Sequence, residues 1–316
     1  MAVLVTGGAG FIGSHLINAL IDGGHDVKCI DNFSSGRKEF ISDSMDRGLE
    51  LVKGDLLNRA DIINALKGCD MVFHLAANPD VRLGVENTNV HLEQNIIATY
   101  NLLEEMRKAG VKKIGFTSSS TVYGEAKQIP TPENYGPLIP ISLYGASKLA
   151  AEGLVSAYCH TFDMQSVIYR FANVVGPRST HGVTYDFIRK LRDDPGTLEI
   201  LGDGSQKKSY LYISDCIDAM LFGMEKNKEK VEMLNIGSED WTDVRKIADI
   251  VSDEMGLSPE YRFTGGVDGG RGWKGDVKVM RLSINKLENM EWKPRYGSEE
   301  SLRMTARWLI NRSKTP

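Results

Sequence analysis

The stretch AVLVTGGAGFIGSHL, Ala2–Leu16, decides the reading of the chain. Ala2–Thr6 is a short apolar run of the kind that forms a buried strand, and Phe11–Ile21 carries helical spacing. Between them lie Gly7, Gly8 and Gly10, with Gly13 one turn into the helix, which satisfies both GxGxxG and GxxGxxG. Small residues let such a turn bend sharply and let a pyrophosphate approach the backbone. The helix N-terminus, at Gly10, Phe11, Ile12 and Gly13, then supplies N–H donors and a favourable dipole. Asp31 stands 18 positions after Gly13, at the end of a second predicted strand, Val27–Ile30. A carboxylate there accepts hydrogen bonds from an adenosine ribose 2′-hydroxyl and repels a 2′-phosphate, which favours NAD over NADP. Arg37 and Lys38, a few residues on, are the feature that keeps NADP open. The motif, its flanking elements and the acidic residue together read as a dinucleotide site.

Outward from this turn, apolar runs alternate with helical patterns. Further strands are predicted over Leu49–Lys53, Met71–Leu75, Lys113–Thr117 and Ser166–Phe171, and helices over Arg59–Leu66, His91–Lys108 and Ala146–His160. The His91–Lys108 helix ends at Ala109-Gly110, a suitable C-terminal cap. Alternation at this spacing predicts an α/β fold with a Rossmann-type, doubly wound parallel sheet. After about Gly176 loops lengthen and Gly and Pro recur. The chain therefore divides into an NAD-binding domain over residues 1–175 and a smaller C-terminal substrate-binding lobe over 176–316, some of whose segments return to the sheet.

The composition narrows the function. The 316 residues are 41% apolar and 25% charged with a net charge of −4, which fits a globular protein and offers no polyanion-binding surface, so nucleic acid is not an expected partner. No run reaches the ~18 apolar residues of a membrane span. The opening MAVLVTGGAG lacks the features of a signal peptide, giving a cytoplasmic expectation. Cys29, Cys69, Cys159 and Cys216 are far apart, and the six histidines show no ligand spacing, so no metal site is expected.

A second set of residues carries chemistry. Tyr144 and Lys148 stand four apart at a helix start, on one face. A free tyrosine, with a pKa of about 10, is too weakly acidic to serve as a base at neutral pH; a nearby ammonium and an oxidised nicotinamide would lower that value. Thr117-Ser118-Ser119-Ser120 ends a predicted central strand, where open α/β sheets bind ligands. The Ser119 hydroxyl there would hold a reacting oxygen while Tyr144 moves its proton.

Together these elements resemble the extended short-chain dehydrogenase/reductases that act on nucleotide sugars, and most of all the UDP-galactose (UDP-glucose) 4-epimerases. The resemblance runs nearly the whole chain: TGGAGFIGSHL at Thr6–Leu16, DNFSSG at Asp31–Gly36, KGDL at Lys53–Leu56, HLAA at His74–Ala77, SSSTVYGE at Ser118–Glu125, YGASK at Tyr144–Lys148, YRFANVVGPR at Tyr169–Arg178, GDGSQKKSYLYISD at Gly202–Asp215 and RGWKGD at Arg271–Asp276. It implies that Ser119 and Tyr144 are the catalytic pair and Lys148 the partner that binds the nicotinamide ribose. It implies cofactor contacts from Asp31 and Asn32 at the adenosine ribose, Asp55 and Leu56 beside the adenine, Leu75, Ala76 and Ala77 along the cofactor path, and Asn95 in support. For the UDP-sugar substrate it implies Ser119, Tyr144, Asn173, Lys208, Arg271 and Asp276. Lys208 replaces an arginine common in relatives, Ser209 an aspartate, and Trp273 a further arginine, so Arg271 or Lys274 is the candidate second cation. The implied reaction passes through a 4-keto sugar with retained NAD.

Related chemistries are distinguishable. The 4,6-dehydratases place Asp-Glu after the catalytic hydroxyl residue, and decarboxylases a glutamate; Ser120 and Thr121 stand there instead and offer no acid or base at neutral pH. An NAD-sensing scaffold would retain the fold without needing Ser119, Tyr144 and Lys148. Met280, near a position that gates bulk at the sugar C2, leaves UDP-GlcNAc open, and Arg82 leaves UDP-glucuronate open. By analogy with the family, the His91–Lys108 and Ala146–His160 helices would pair across a homodimer.

Overall fold

The computed structural model describes residues 1–312; residues 313–316, the end of the lobe expected over 176–316, lie outside the described residues. The described chain forms two compact units, each drawn from several stretches of sequence.

The first unit comprises Met1–Val122, Leu143–Arg170 and Ile217–Leu234. Its sheet consists of β1 (Ala2–Thr6), β2 (Asp26–Asp31), β3 (Glu50–Lys53), β4 (Met71–His74), β5 (Lys113–Ser119), β6 (Gln165–Phe171) and β7 (Val231–Ile236). The order is β7-β6-β5-β4-β1-β2-β3, with β1 parallel to β2 and β4, β2 to β3, and β4 to β5. Strand order reverses between β1 and β4, which is where an open α/β sheet leaves a crevice at its carboxyl ends. The longer helices are α1 (Phe11–Asp22), α2 (Arg59–Leu66), α3 (Ala98–Ala109), α4 (Leu143–Phe162) and α5 (Ile213–Lys226). None among the described residues is long and apolar enough to cross a membrane.

The core explains these elements. Leu4, Ile30, Val72, Ile114 and Ile168 from the strands meet Ile62, Leu66, Leu102, Leu103, Met106 and Val155 from the helices. Residues three and four apart on a helix share the face that meets the sheet. Asn58 caps α2 by accepting the Ala60 N–H, and Gly110 ends α3 in the left-handed conformation at φ 74°, as its place after Ala109 predicts.

The expected single helix over His91–Lys108 is instead a π-helical segment, Leu92–Ile97, followed by α3. The Thr99 hydroxyl donates to the Asn95 carbonyl at 2.5 Å, and Asn95 is tied to other segments, so side-chain bonds widen the helical turn.

The second unit comprises Tyr123–Ser142, Phe171–Cys216 and the chain from Asn235 onward. The strand Asn173–Val175 pairs parallel with Tyr210–Tyr212, and Thr197–Ile200 with Glu260–Phe263. Lys207–Lys208 lies between Thr242–Asp243 and Val279–Met280. Helices Val183–Asp193, Val244–Met255 and Ser298–Arg312 pack through Phe187, Leu191, Ile247, Val251, Leu302 and Ala306.

The division expected at 175/176 differs from this one in two stretches. Tyr123–Ser142 belongs with the second unit because Asn235 holds it there. The Asn235 side chain accepts from the Tyr123 hydroxyl (2.7 Å) and donates to the Thr131 and Ser283 carbonyls (2.9 and 3.0 Å), while Glu133 accepts the Asn235 N–H. Ile217–Leu234 belongs with the first unit because it carries most of α5 and β7, the outermost strand beside β6.

Asn235→Leu leaves buried partners of this hub unsatisfied, a loss of about 1–3 kcal/mol. The urea midpoint should fall accordingly, and an unchanged midpoint would show that Tyr123–Ser142 is held by other contacts.

Candidate active site

The glycine turn follows β1 directly. Gly7 has φ 67°, and a Cβ there would lie 2.7 Å from the Ala76 nitrogen, so β4's following loop closes on the turn. A Cβ on Gly13 would run into the Gly7 carbonyl oxygen. Only glycine lets α1 start this close to the strand. Gly10 is the N-cap of α1 and makes no side-chain cap, and the first turn holds no acidic residue. The leading amides, at Phe11, Ile12 and Gly13, therefore have the orientation and dipole that suit a diphosphate.

Asp31 ends β2 against this turn. Its carboxylate accepts the Ala9 N–H (2.9 Å) and the Phe33 N–H (2.8 Å), and burial holds it above the usual carboxylate range against the pull of those two bonds. The loop after Asp31 folds back, the Arg37 amide donating to the Ala9 carbonyl at 2.9 Å. Gly36 packs so closely that a Cβ there would lie 2.8 Å from the carboxylate. Asn32 and Asp55 are brought together, with Asn32 Nδ2 donating to Asp55 Oδ2 at 2.9 Å. Leu56 differs from its neighbours, since its side chain is committed to the core and its carbonyl accepts from Asn101 Nδ2.

The loop after β4 is fixed by a polar chain whose proton positions follow from its hydroxyls. Thr99 gives its single proton to the Asn95 carbonyl, so it accepts from His74 Nε2 at 2.9 Å. His74 Nδ1 is then the acceptor for the Thr6 hydroxyl at 2.7 Å, and Thr6 Oγ1 in turn accepts the Leu75 and Ala76 amides, each at 3.2 Å. Burial, with a further push from Lys148, takes His74 down to about 3, so the ring stays neutral. Ala77 lies half-buried in the same loop. Asn95, 2% exposed, accepts the Asn78 amide (2.8 Å) and donates to Ser147 Oγ (2.9 Å). It is thus a buried junction between this loop and α4.

Ser119, Tyr144 and Lys148 meet at the end of β5. Thr121 donates to Ser119 Oγ twice, from its amide (3.2 Å) and its hydroxyl (3.0 Å). With its acceptor sites so occupied, Ser119 donates to the Tyr144 hydroxyl, a bond that lowers the pKa of the phenol. Lys148 is 4% exposed; its Nζ donates to the Thr117 carbonyl at 2.9 Å and lies 5.9 Å from the Tyr144 ring centroid. The His91 ring packs edge-on to Tyr144, centroids 5.7 Å apart.

The electrostatics of the protein groups alone can be apportioned. Burial pushes the Tyr144 phenol up to about 12, and the group that opposes it is Ser119, not Lys148. Burial pushes Lys148 down to about 8, opposed by Glu152. Desolvation therefore sets the direction for both side chains, and Lys148 is not among the groups that shift the phenol.

In the second unit, Lys208 and Asp276 are brought together at 2.6 Å, with Lys208 Nζ 5.6 Å from the Trp273 ring centroid. Arg271 pairs with Glu125 and also donates to the Asp268 carbonyl. Asn173 Nδ2 reaches the Ser209 carbonyl at 3.4 Å, Lys274 is exposed, and Met280 is buried against Ser209. In the first unit Arg82 pairs with Asp80 at 3.7 Å. Sequence reasoning passed over Thr6, His74, Ser147, His91, Thr121 and Glu152 as site residues. Thr6, His74, Thr121 and Ser147 lie inside quoted motifs, but nothing in their spacing distinguishes a buried bond from a surface side chain.

Residues 3–237 match the NAD dependent epimerase/dehydratase family. The chain is 32% identical to the UDP-glucose 4-epimerase of Mycolicibacterium smegmatis, over 99% of this chain and 100% of that protein. Among solved structures, a UDP-galactose 4-epimerase superposes with a TM-score of 0.88 at 43% identity, covering 99% of both chains. The UDP-N-acetylglucosamine 4-epimerase of Methanobrevibacter ruminantium (31% identity, TM-score 0.87, 98% of both chains) is similar as well. So is the UDP-glucuronic acid 4-epimerase of Bacillus cereus, solved with NAD (30% identity, TM-score 0.87, 98% of this chain and 99% of that one). The fold, the cofactor turn and these relatives agree: the chain belongs to the NAD-dependent epimerase/dehydratase family, within the extended short-chain dehydrogenase/reductases, as an NAD-dependent isomerase of nucleotide sugars.

Proposed function

We propose that this protein interconverts UDP-glucose and UDP-galactose through a 4-keto sugar. The observation that carries the reading is the Ser119 hydroxyl, held by Thr121 and donating to Tyr144, with Lys148 buried beside them. The positions after Ser119 hold Ser120 and Thr121, and Thr121 is engaged in orienting Ser119, so the acid–base pair that a dehydratase needs is absent from them.

The amides of Phe11–Gly13 and the Asp31 carboxylate suit the diphosphate and adenosine ribose of NAD, the Gly10 amide being taken by the Gly7 carbonyl at 3.1 Å, with Asn32, Asp55, the Leu56 backbone and Leu75–Ala77 along the rest of the cofactor. Bound NAD supplies the hydride exchange at the sugar C4 and a positive ring that favours the phenolate. Tyr144 takes and returns the C4 hydroxyl proton, while Ser119 holds that oxygen in line. Lys148 adds the positive charge beside the phenol and a donor for the nicotinamide ribose. In the second unit Asn173, Lys208 and Arg271 are candidates for the nucleoside diphosphate, with Asp276 holding Lys208. Both cations are paired with carboxylates, so diphosphate binding would exchange one anionic partner for another. Exposed Leu92, Ile97 and Tyr100, on the π-helical segment and α3, support a homodimer, a state that sedimentation velocity would report directly.

Incubated with UDP-galactose and no added cofactor, the purified protein should yield UDP-glucose, read from the anomeric NMR signals. Tyr144→Phe should slow this by about 10²–10⁴-fold. No conversion even with NAD supplied would overturn UDP-galactose as substrate and move the assay to UDP-GlcNAc and UDP-glucuronate. Gly7→Ala, which drives a methyl into the Ala76 backbone, should yield a folded protein that no longer retains NAD through gel filtration.

The pH dependence follows from Lys148. Because burial sets its loss of a proton near 8, kcat should hold up to about that pH and fall above it as the ammonium disappears. A kcat that kept rising through pH 9 would show that the charge is not needed.

A further inference from the structure

Glu152 stands four residues after Lys148 on α4, and at 2% exposure its carboxylate is removed from water. Three donors satisfy it: Ser118 Oγ at 2.5 Å, Arg170 Nε at 2.9 Å and Arg170 Nη2 at 2.7 Å. Arg170, on β6, is equally buried at 2%. A buried ion pair is costly to assemble and is weak evidence for stability in itself, so its placement is informative. Ser118 is flanked on β5 by Thr117, whose carbonyl accepts from Lys148, and by Ser119, which donates to Tyr144. Glu152 therefore reaches one reacting group through a single step along β5 and the other through one turn of α4.

Resting on the epimerase reading above, we propose that Glu152 is a positioning residue for the reaction. It fixes the Ser118–Ser119 end of β5 against α4 and keeps the Lys148 ammonium charged beside the phenol, with Arg170 as its paired counter-charge in the core. The groups facing Lys148 are consistent with this. Tyr144 and Glu152 come from its own helix, the Thr117 carbonyl and Phe116 ring from β5, and the His74 ring from β4. His91, before the π-helical segment, acts on it at longer range. Of these Glu152 is the anion, and it is the group that opposes the effect of burial on Lys148.

The test compares wild type, Glu152→Gln and the double variant Glu152→Gln/Arg170→Met. The double variant removes both charges and so spares the fold an uncompensated buried guanidinium. Each protein is labelled with lysine carrying ¹³C at Cε, and the Lys148 signal is assigned by its loss in Lys148→Met. Its titration midpoint should fall by about 1–2 units in both variants. The alkaline limb of kcat should move down by the same amount with KM little changed. The urea midpoint should drop in the single variant and recover in the double. If the double variant recovers its stability and also titrates Lys148 as wild type does, Glu152 serves only the fold and the proposal falls. The titration needs no turnover, so a wild-type protein that converts no UDP-sugar would overturn the epimerase reading while the Lys148 signal still decides the role of Glu152.

Discussion

The buried contact between Glu152 and Arg170 is the constraint on which the rest of the site depends. It joins α4 to β6 and, through Ser118, to β5, and those elements carry Tyr144, Lys148 and Ser119. Removing one partner of such a pair typically costs about 3–5 kcal/mol, because the remaining charge is stranded in a dry interior. Hydrophobic packing alone would let α4 settle against the sheet in several near-equivalent ways. A fully satisfied polar contact selects one, and the Tyr144–Ser119 hydrogen bond tolerates little error in that choice.

The same economy of satisfied groups runs through the cofactor side. Each hydroxyl in the chain from Asn95 through Thr99, His74 and Thr6 to the Leu75 and Ala76 amides has one proton to give, and each gives it in one direction. The neutral His74 ring is what makes the chain consistent, since a protonated ring could not accept from Thr6. The loop that closes on Gly7 is thereby tied to Asn95, and Asn95 through Ser147 to α4. The glycine turn and α4 are set by one continuous run of hydrogen bonds within the first unit.

Desolvation acts on Tyr144 and Lys148 in opposite senses, raising one towards about 12 and lowering the other towards about 8. Both shifts favour the uncharged forms. A site built this way responds strongly to any further positive charge brought close to the phenol, because a low-dielectric environment amplifies it. The second unit follows a different rule: its candidate cations, Lys208 and Arg271, are already matched to Asp276 and Glu125, which keeps them positioned.

Local pattern settled much of this in advance. The strand Ala2–Thr6 and the helix Arg59–Leu66 lie where periodicity places them, because each is defined by neighbours a few residues away. The glycine turn, Asp31 and the Ser119–Tyr144–Lys148 set were likewise legible, since short spacing and element type fix which of them can meet. The π-helical turn at Asn95 was not, because its cause is side-chain bonding to Asn78 and Ser147, the latter 52 positions distant. Nor was the membership of Tyr123–Ser142, held by an asparagine about a hundred residues further on. Glu152, at helical spacing from Lys148, reads as an ordinary exposed charge until the fold sets Arg170 against it. The sequence by itself determined the fold class, the glycine turn and which side chains are candidates for the reaction, because those follow from local chemistry. Only the tertiary structure decided which polar groups are buried, which partner each one finds and how far each is pushed from its ordinary ionisation, because desolvation depends on everything packed around a group and on nothing in its immediate sequence.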